Sequence, residues 1–454
     1  MTILKRPLQN KQWNNYLLQT NTMNLNALKT AEKKLFLFHQ YGLSKESVCF
    51  AFTGLLVFLN PFPHLTAFTN ILFSIVLVLF IDLFYRKTIK PKWKNPFSIP
   101  LVCYVIISII STLFALDKTE SLGDLFSHLL RYIAIFFIII NCFNTKQRFR
   151  YLVRIIIVSG LIFSTASLFY FYIIQGNNLT TRFGTGFTDS AICTMGLITV
   201  FTFILSLGEI NQTQNRIVKS LLMIGLITVL SASLLSQSRG TILSIITAML
   251  VIDLFKKKIL SLVIIFCIII YYCFSTPLQD RLKASNHYDD RISIYLYSME
   301  IIEDYPVAGT GFSIDTFKNK NLIDPHKYKK RIPERYRSYP MLWPHNMFLS
   351  IWVRTGILGL TAYCMLIISF IRLSVRLIRF GKDSFIQTNA IYALSSLTMF
   401  CTIGFFSPIF IHFADFTFFI IFSMLTILWS LNKESAEEKE QKKTDLRTIN
   451  TWRA

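Results

Sequence analysis

The 454 residues are 53% hydrophobic and 15% aromatic with only 16% charged, and the 42 phenylalanines fall in long, nearly uncharged runs. That balance excludes an ordinary soluble domain and points to an integral membrane protein. The formal net charge of +22 does not call for nucleic acid as a partner, because membrane topology accounts for where most of the cations lie.

The chain opens with a polar segment, residues 1–45, carrying Lys5, Arg6, Lys11, Lys29, Lys33 and Lys34. It has no apolar stretch followed by a small-residue cleavage site, so no cleavable signal peptide is expected. Residues 46–275 hold nine apolar runs: 46–60, 64–84, 97–115, 122–142, 152–174, 190–208, 217–235, 240–254 and 259–275. Each approaches the roughly 20 residues that a helix needs to cross the hydrocarbon core. A long loop, 276–344, follows; residues 345–431 hold the runs 347–371, 385–406 and 409–431, and a mixed-charge tail, 432–454, closes the sequence. The expected fold is all-α, with about twelve transmembrane helices and one long helical loop between spans 9 and 10. The eight cysteines lie in or beside apolar runs without the paired spacing of metal sites and read as small hydrophobes.

Charge in the short loops sets the orientation. One alternate set carries Arg86, Lys87, Lys90, Lys92, Lys94, Lys146, Arg148, Arg150, Arg154, Arg216, Lys219, Lys256, Lys257, Lys258, Arg372, Arg376, Arg379 and Lys382; the other carries only Lys118, Arg182 and Arg239. The cation-rich side is read as cytoplasmic and shares that side with both termini, and anionic headgroups are its default partners. The cation-poor loops, and the long loop, then lie on the outer side.

On that outer side a cation is informative. Asp124, His128 and Arg131 share one face of the fourth span at i, i+4 and i+7, as a structural ion pair or a substrate contact. Arg182 stands in the Gly-rich "NNLTTRFGTGFTDS", whose glycines suit either a plain turn or close approach to a ligand. Arg239, in "LLSQSRGTILS", is either a snorkelling helix end or, with backbone N–H groups of the helix that Gly240 begins, a phosphate contact. Arg291 opens a loop helix, "DDRISIYLYSMEIIEDYP", with Asp289 or Asp290 as N-cap and Ile292, Tyr295, Met299 and Ile302 at helical spacing. A cation in a first turn is opposed by the helix dipole, which favours an anion contact slightly over a salt bridge to Asp289 or Glu303; Arg281, in the same loop, is a further substrate-binding candidate. His345, behind Pro344 and before Asn346, sits where a polar loop meets an apolar run. It can take a proton near neutral pH, whereas Asn346 can act as a plain helix cap or touch substrate.

"TTRFGTGF", "LSQSRGTILS", "DDRISIYLYSMEIIEDYPVAGTGF" and "PHNMFLSIWVRTGILGL", in this order around a long outer loop, resemble the bacterial O-antigen ligase family and its wider ligase/polymerase superfamily. The resemblance spans roughly residues 50–430. It implies a metal-independent, cofactor-free, inverting transfer of a polysaccharide from undecaprenyl diphosphate to a sugar hydroxyl of lipid A-core. It makes the membrane the bacterial inner membrane and the outer side the periplasm. It places the family's catalytic residues on Arg239, Arg291 and His345. Members often carry an acidic residue soon after the His-Asn pair; this chain has Arg354 there. The rival readings are an O-antigen polymerase or other oligosaccharyltransferase of the superfamily, and, from a different class, a lipid-linked sugar flippase.

Overall fold

A computed structural model describes residues 44–88, 92–184, 192–257, 259, 262, 265–266, 268–270, 286–338, 343–407 and 411–453. The chain divides into two units, Met1–Ala51 and Phe52–Ala454. Of the first, the described residues are 44–51, the opening of helix α1 (Lys45–Leu59).

The second unit is all-helical among the described residues. After α1 come α2 (Thr66–Tyr85), α3 (Ser98–Leu113), α4 (Lys118–Cys142), α5 (Lys146–Ile174), α6 (Ile192–Gln212), α7 (Arg216–Leu235) and α8 (Arg239–Lys256). The loop helices α9 (Asn286–Asp304) and α10 (Pro325–Arg331) are followed by α11 (Met347–Phe380), α12 (Ser384–Phe406) and α13 (His412–Arg453). Polar residues mark the starts that the apolar runs leave open. Asp117, Thr145, Asn215, Ser238, Asp324, Asn346 and Asp383 each accept a hydrogen bond from a backbone N–H of the turn that follows.

Eight of these helices are long and apolar enough to cross a membrane: α2, α4, α5, α6, α7, α11, α12 and α13. The count of twelve is therefore not reached among the described residues. Run 46–60 forms a helix of 15 residues and run 97–115 one of 16, both short against the roughly 30 Å of hydrocarbon. Run 240–254 lies in α8, which has 18 residues but includes Arg239, Asp253 and Lys256. Run 259–275 falls largely outside the described residues.

Burial separates centre from rim. In α6 and α13, 94% and 89% of the most apolar stretch is inside the protein, against 22% in α2 and α7, so the first pair forms the core and the second pair faces lipid. Helix α12 packs on α6, α8, α11 and α13. Its end, Phe405–Phe406, thereby lands beside the candidate site.

Helix α11 contains a break. Gly356 adopts φ 65°, ψ −171°, and the segment Pro306–Phe312 lies against the gap. Thr310 N–H donates to the Val353 carbonyl (2.9 Å), Gly311 N–H to the Arg354 carbonyl (3.0 Å), and Ile357 N–H to the Pro306 carbonyl (2.9 Å). The broken turn is satisfied by the loop instead of by itself.

The loop has its own core of Tyr297, Ile301, Ile302, Phe317, Ile323 and Tyr328, which meets Val353 of α11. This alters the expectations for α9. The helix already begins at Asn286, so Asp290 lies inside it, neither Asp289 nor Asp290 is the N-cap, and Arg291 is past the first turn instead of in it. The inward stripe is Ile294, Tyr297 and Ile301, while Ile292 and Met299 are 40% exposed. The loop packs α9 from the side that Phe317 and Tyr328 occupy, a long-range fact that helical spacing alone does not contain. At its end Asp304 takes hydrogen bonds from Lys327 (2.5 Å), Tyr328 (2.9 Å) and Arg331 (2.9 Å). The first and largest of these influences, Lys327, followed by Arg331, holds its carboxyl well below the usual range.

Candidate functional site

Arg239 stands at the first position of α8, behind the N-cap Ser238, whose hydroxyl accepts from Thr241 N–H. The chain reaches it through Gln237, a buried non-glycine residue held at φ 48°. Such a left-handed turn is uncommon for a side-chain-bearing residue and persists only where neighbours fix it. Here the Arg182 loop does so. Arg182 Nε donates to the Ser236 carbonyl (3.0 Å), Phe183 N–H to the Leu235 carbonyl (3.0 Å), and Gln237 Nε2 to the Thr180 carbonyl (3.3 Å). Arg182 thus holds the turn that carries Arg239.

Arg291 lies in the first half of α9, with its guanidinium carbon 5.7 Å from the centre of the Phe406 ring. Phe406 is also the neighbour of the Arg239 turn, since a Cβ on Gly240 would lie 3.1 Å from Phe406 Cβ. Phe406 is therefore flanked by the Arg239 turn and by α9, which carries Arg291.

His345 precedes α11 and is partly buried. Tyr295, one turn on from Arg291 and on the same face of α9, makes a long contact from its hydroxyl to the His345 carbonyl (3.5 Å). Burial, first, and the Arg291 charge, second, lower the imidazole pKa below its ordinary value. The ring is thereby kept neutral near pH 7, the state that can accept a proton. Asn346 is the N-cap of α11, its Oδ1 accepting from Leu349 N–H (3.1 Å), so that oxygen is committed to the helix.

The structure thus gathers Arg239, Arg291 and His345 around the end of α12, with Arg182 behind the first of them. Arg281 lies outside the described residues. Arg131 is elsewhere: it lies over the rings of Phe73 (5.1 Å) and Tyr132 (5.8 Å), and its buried Nε has no hydrogen-bond partner among the described residues. A π-helical stretch, Leu125–Leu130, interrupts α4 between Asp124 and Arg131, which breaks the i, i+4, i+7 alignment. His128 instead bonds Asp415 of α13 (2.6 Å) and stacks on His412 (ring centres 4.1 Å). This hydrogen bond and ring stack join α4 to α13.

Arg354 stands where the resemblance leads one to look for a carboxylate, and it bonds the loop. It is 5% exposed, its Nε donates to the Phe312 carbonyl (2.6 Å), and its guanidinium lies 4.5 Å from the Phe312 ring centre. It pins the loop segment to the broken helix and faces a cavity it shares with Tyr104, His128, Met347, Tyr363 and Asp415. That cavity, about 40 Å³, admits a few water molecules and no sugar.

Two residues were not singled out by sequence reasoning. Phe406 is one of many phenylalanines, and Gln237 carries no signal beyond its place before Ser-Arg-Gly.

Residues 224–364 match the O-antigen ligase family model. That stretch is less than a third of the chain and contains Arg239, Arg291, His345 and Asn346, together with the break at Gly356. No curated protein matches the sequence.

Proposed function

We propose that this multi-spanning membrane protein transfers a polysaccharide from undecaprenyl diphosphate to a sugar hydroxyl of lipid A-core, as an O-antigen ligase, on the periplasmic side of the inner membrane. The observation that carries the reading is the meeting of Arg239, Arg291 and His345 at the end of α12, within the residues that match the ligase model.

The chemistry fits these groups. The bond from the anomeric carbon to phosphate oxygen breaks, the acceptor oxygen bonds that carbon from the opposite face, and undecaprenyl diphosphate leaves. The charge arriving on the diphosphate is met by the Arg239 and Arg291 guanidiniums, whose planar forks suit phosphate oxygens. The acceptor hydroxyl gives its proton to a ring nitrogen of His345. Arg182 keeps the Arg239 turn in place through Ser236. The cytoplasmic basic loops hold the orientation against anionic lipid.

Gel analysis of lipopolysaccharide in a deletion strain tests the reaction. Loss of all polymer on lipid A-core, with lipid-linked polymer accumulating, is the expected pattern. A single repeat unit still attached to the core would make the protein a polymerase, and absence of any periplasmic donor would make it a flippase.

The proton-acceptor role has a pH signature. Because the His345 pKa is lowered, the neutral base persists as acid is added, and kcat/KM should fall only below the ordinary histidine value of about 6.5. An acid limb centred above that value, or full transfer by His345→Ala, would remove His345 from this role.

A further inference from the structure

We propose that the Phe405–Phe406 pair ending α12 is the positioning element of the site, setting Arg291 against the Arg239 turn and holding the helix start behind His345. The inference rests on the transfer reaction proposed above only for its rate readout.

Three contacts carry it, each to a different element. The Phe406 ring lies under the Arg291 guanidinium at 5.7 Å, within the range at which a ring face attracts a cation. The same side chain closes on Gly240, where even a methyl group would press to 3.1 Å, so α8 begins directly against it. Phe405, 52% exposed, turns its ring to Phe348 at 5.0 Å, and Phe348 lies three residues past His345 in the first turn of α11. Phe348 in turn meets Tyr363 edge-on at 6.5 Å, which ties that first turn to the helix beyond the Gly356 break.

The arrangement answers a physical need. Arg239 opens α8, Arg291 lies within α9 of the loop, and His345 stands just ahead of α11, so the three belong to separate elements. Helix α12 is packed on α6, α8, α11 and α13. Two adjacent rings at its end provide one rigid reference for all three, and phenylalanine has few rotamers to lose in doing so.

The test uses the full-length protein in lipid nanodiscs, with wild type, Phe406→Leu, Phe406→Tyr and Phe406→Trp compared at equal folded amount. Leucine keeps apolar volume and loses the ring face; tyrosine and tryptophan keep the face. Two readouts are taken. One is transfer from undecaprenyl-diphosphate-linked polysaccharide to lipid A-core. The other is the pH profile of His345 modification by diethyl pyrocarbonate, resolved by peptide mass spectrometry, which needs no substrate. Phe406→Leu should lower kcat by about 3- to 30-fold, the span of a cation–ring contact. It should also move the His345 profile to higher pH, as Arg291 drifts from the histidine. Tyrosine and tryptophan should stay near wild type in both. A Leu variant that matches wild type in the His345 profile overturns the proposal, as does a series in which leucine, tyrosine and tryptophan are equally impaired. If wild type transfers nothing while Phe406→Leu shifts the profile, the reaction is wrong and the positioning stands.

Discussion

Arg291→Ala should reduce polysaccharide transfer by about 10²- to 10³-fold, with the protein still inserted and folded, and Arg239→Ala should do the same. On the proposed reaction the size follows from charge that grows on the leaving diphosphate, met by cations already fixed before the bond breaks. Arg239 is fixed by the cap at Ser238 and by the Gln237 turn; Arg291 is fixed over Phe406. Helix stability does not explain Arg239, since a cation at the first position of a helix is opposed by the dipole. Lysine replacements separate charge from geometry. If a point charge suffices, Arg291→Lys retains most of the rate; if the two-toothed contact to phosphate oxygens matters, it loses much of it. The measurement is the initial rate with purified lipid-linked donor and lipid A-core, normalised to folded protein. Near-normal rates in both alanine variants would detach the arginines from the reaction.

Much of this was readable in advance, and the rest had definite reasons to be hidden. Apolar runs of near-bilayer length locate helices well, because a helix in lipid must satisfy its own backbone. They fix length poorly where a run is short or interrupted by charge, as in α1, α3 and α8. Arg239 stood out because positive charge is scarce in the short outer loops, and Arg291 because the sequence put it in a first helical turn, both local properties. Their relation to one another was not local. It runs through Phe406, more than 100 residues from Arg291, and nothing in "TIGFFSP" distinguishes that ring from the other phenylalanines. Arg354 is the instructive reversal. Beside the His-Asn pair it looked like a substitution for a partner of His345, yet its Nε donates to Phe312, a residue of the loop. The one-face reading of Asp124, His128 and Arg131 failed for a related reason: a π-helical turn adds a residue to the register, which spacing rules for a regular helix do not foresee.

Gly356→Ala should be among the most damaging single substitutions outside the arginines. Its φ of 65° with ψ near 180° is a conformation essentially reserved for glycine, and forcing another residue into it costs about 1–3 kcal/mol. The added methyl group would also run into the Val307 carbonyl, and the facing Gly309, at φ 72°, leaves the same absence of space against the Arg354 carbonyl. The chain cannot relieve this by becoming a continuous helix without expelling Pro306–Phe312, which carries the hydrogen bonds to Val353, Arg354 and Ile357 and the anchor for Arg354. Strain, overlap and lost hydrogen bonds together should exceed about 3 kcal/mol. Thermal melting in detergent measures it, with Gly123→Ala as the control, because a Cβ there meets nothing within 4 Å and alanine favours the helix. The effect should reach the chemistry as well. Residues Met347–Thr355 form the short leading piece of α11 ahead of the break, and His345 sits at its front. A variant that folds by straightening α11 should therefore lose transfer even where it keeps protein in the membrane. Normal melting together with normal transfer would show that the break is not needed to aim that piece of helix.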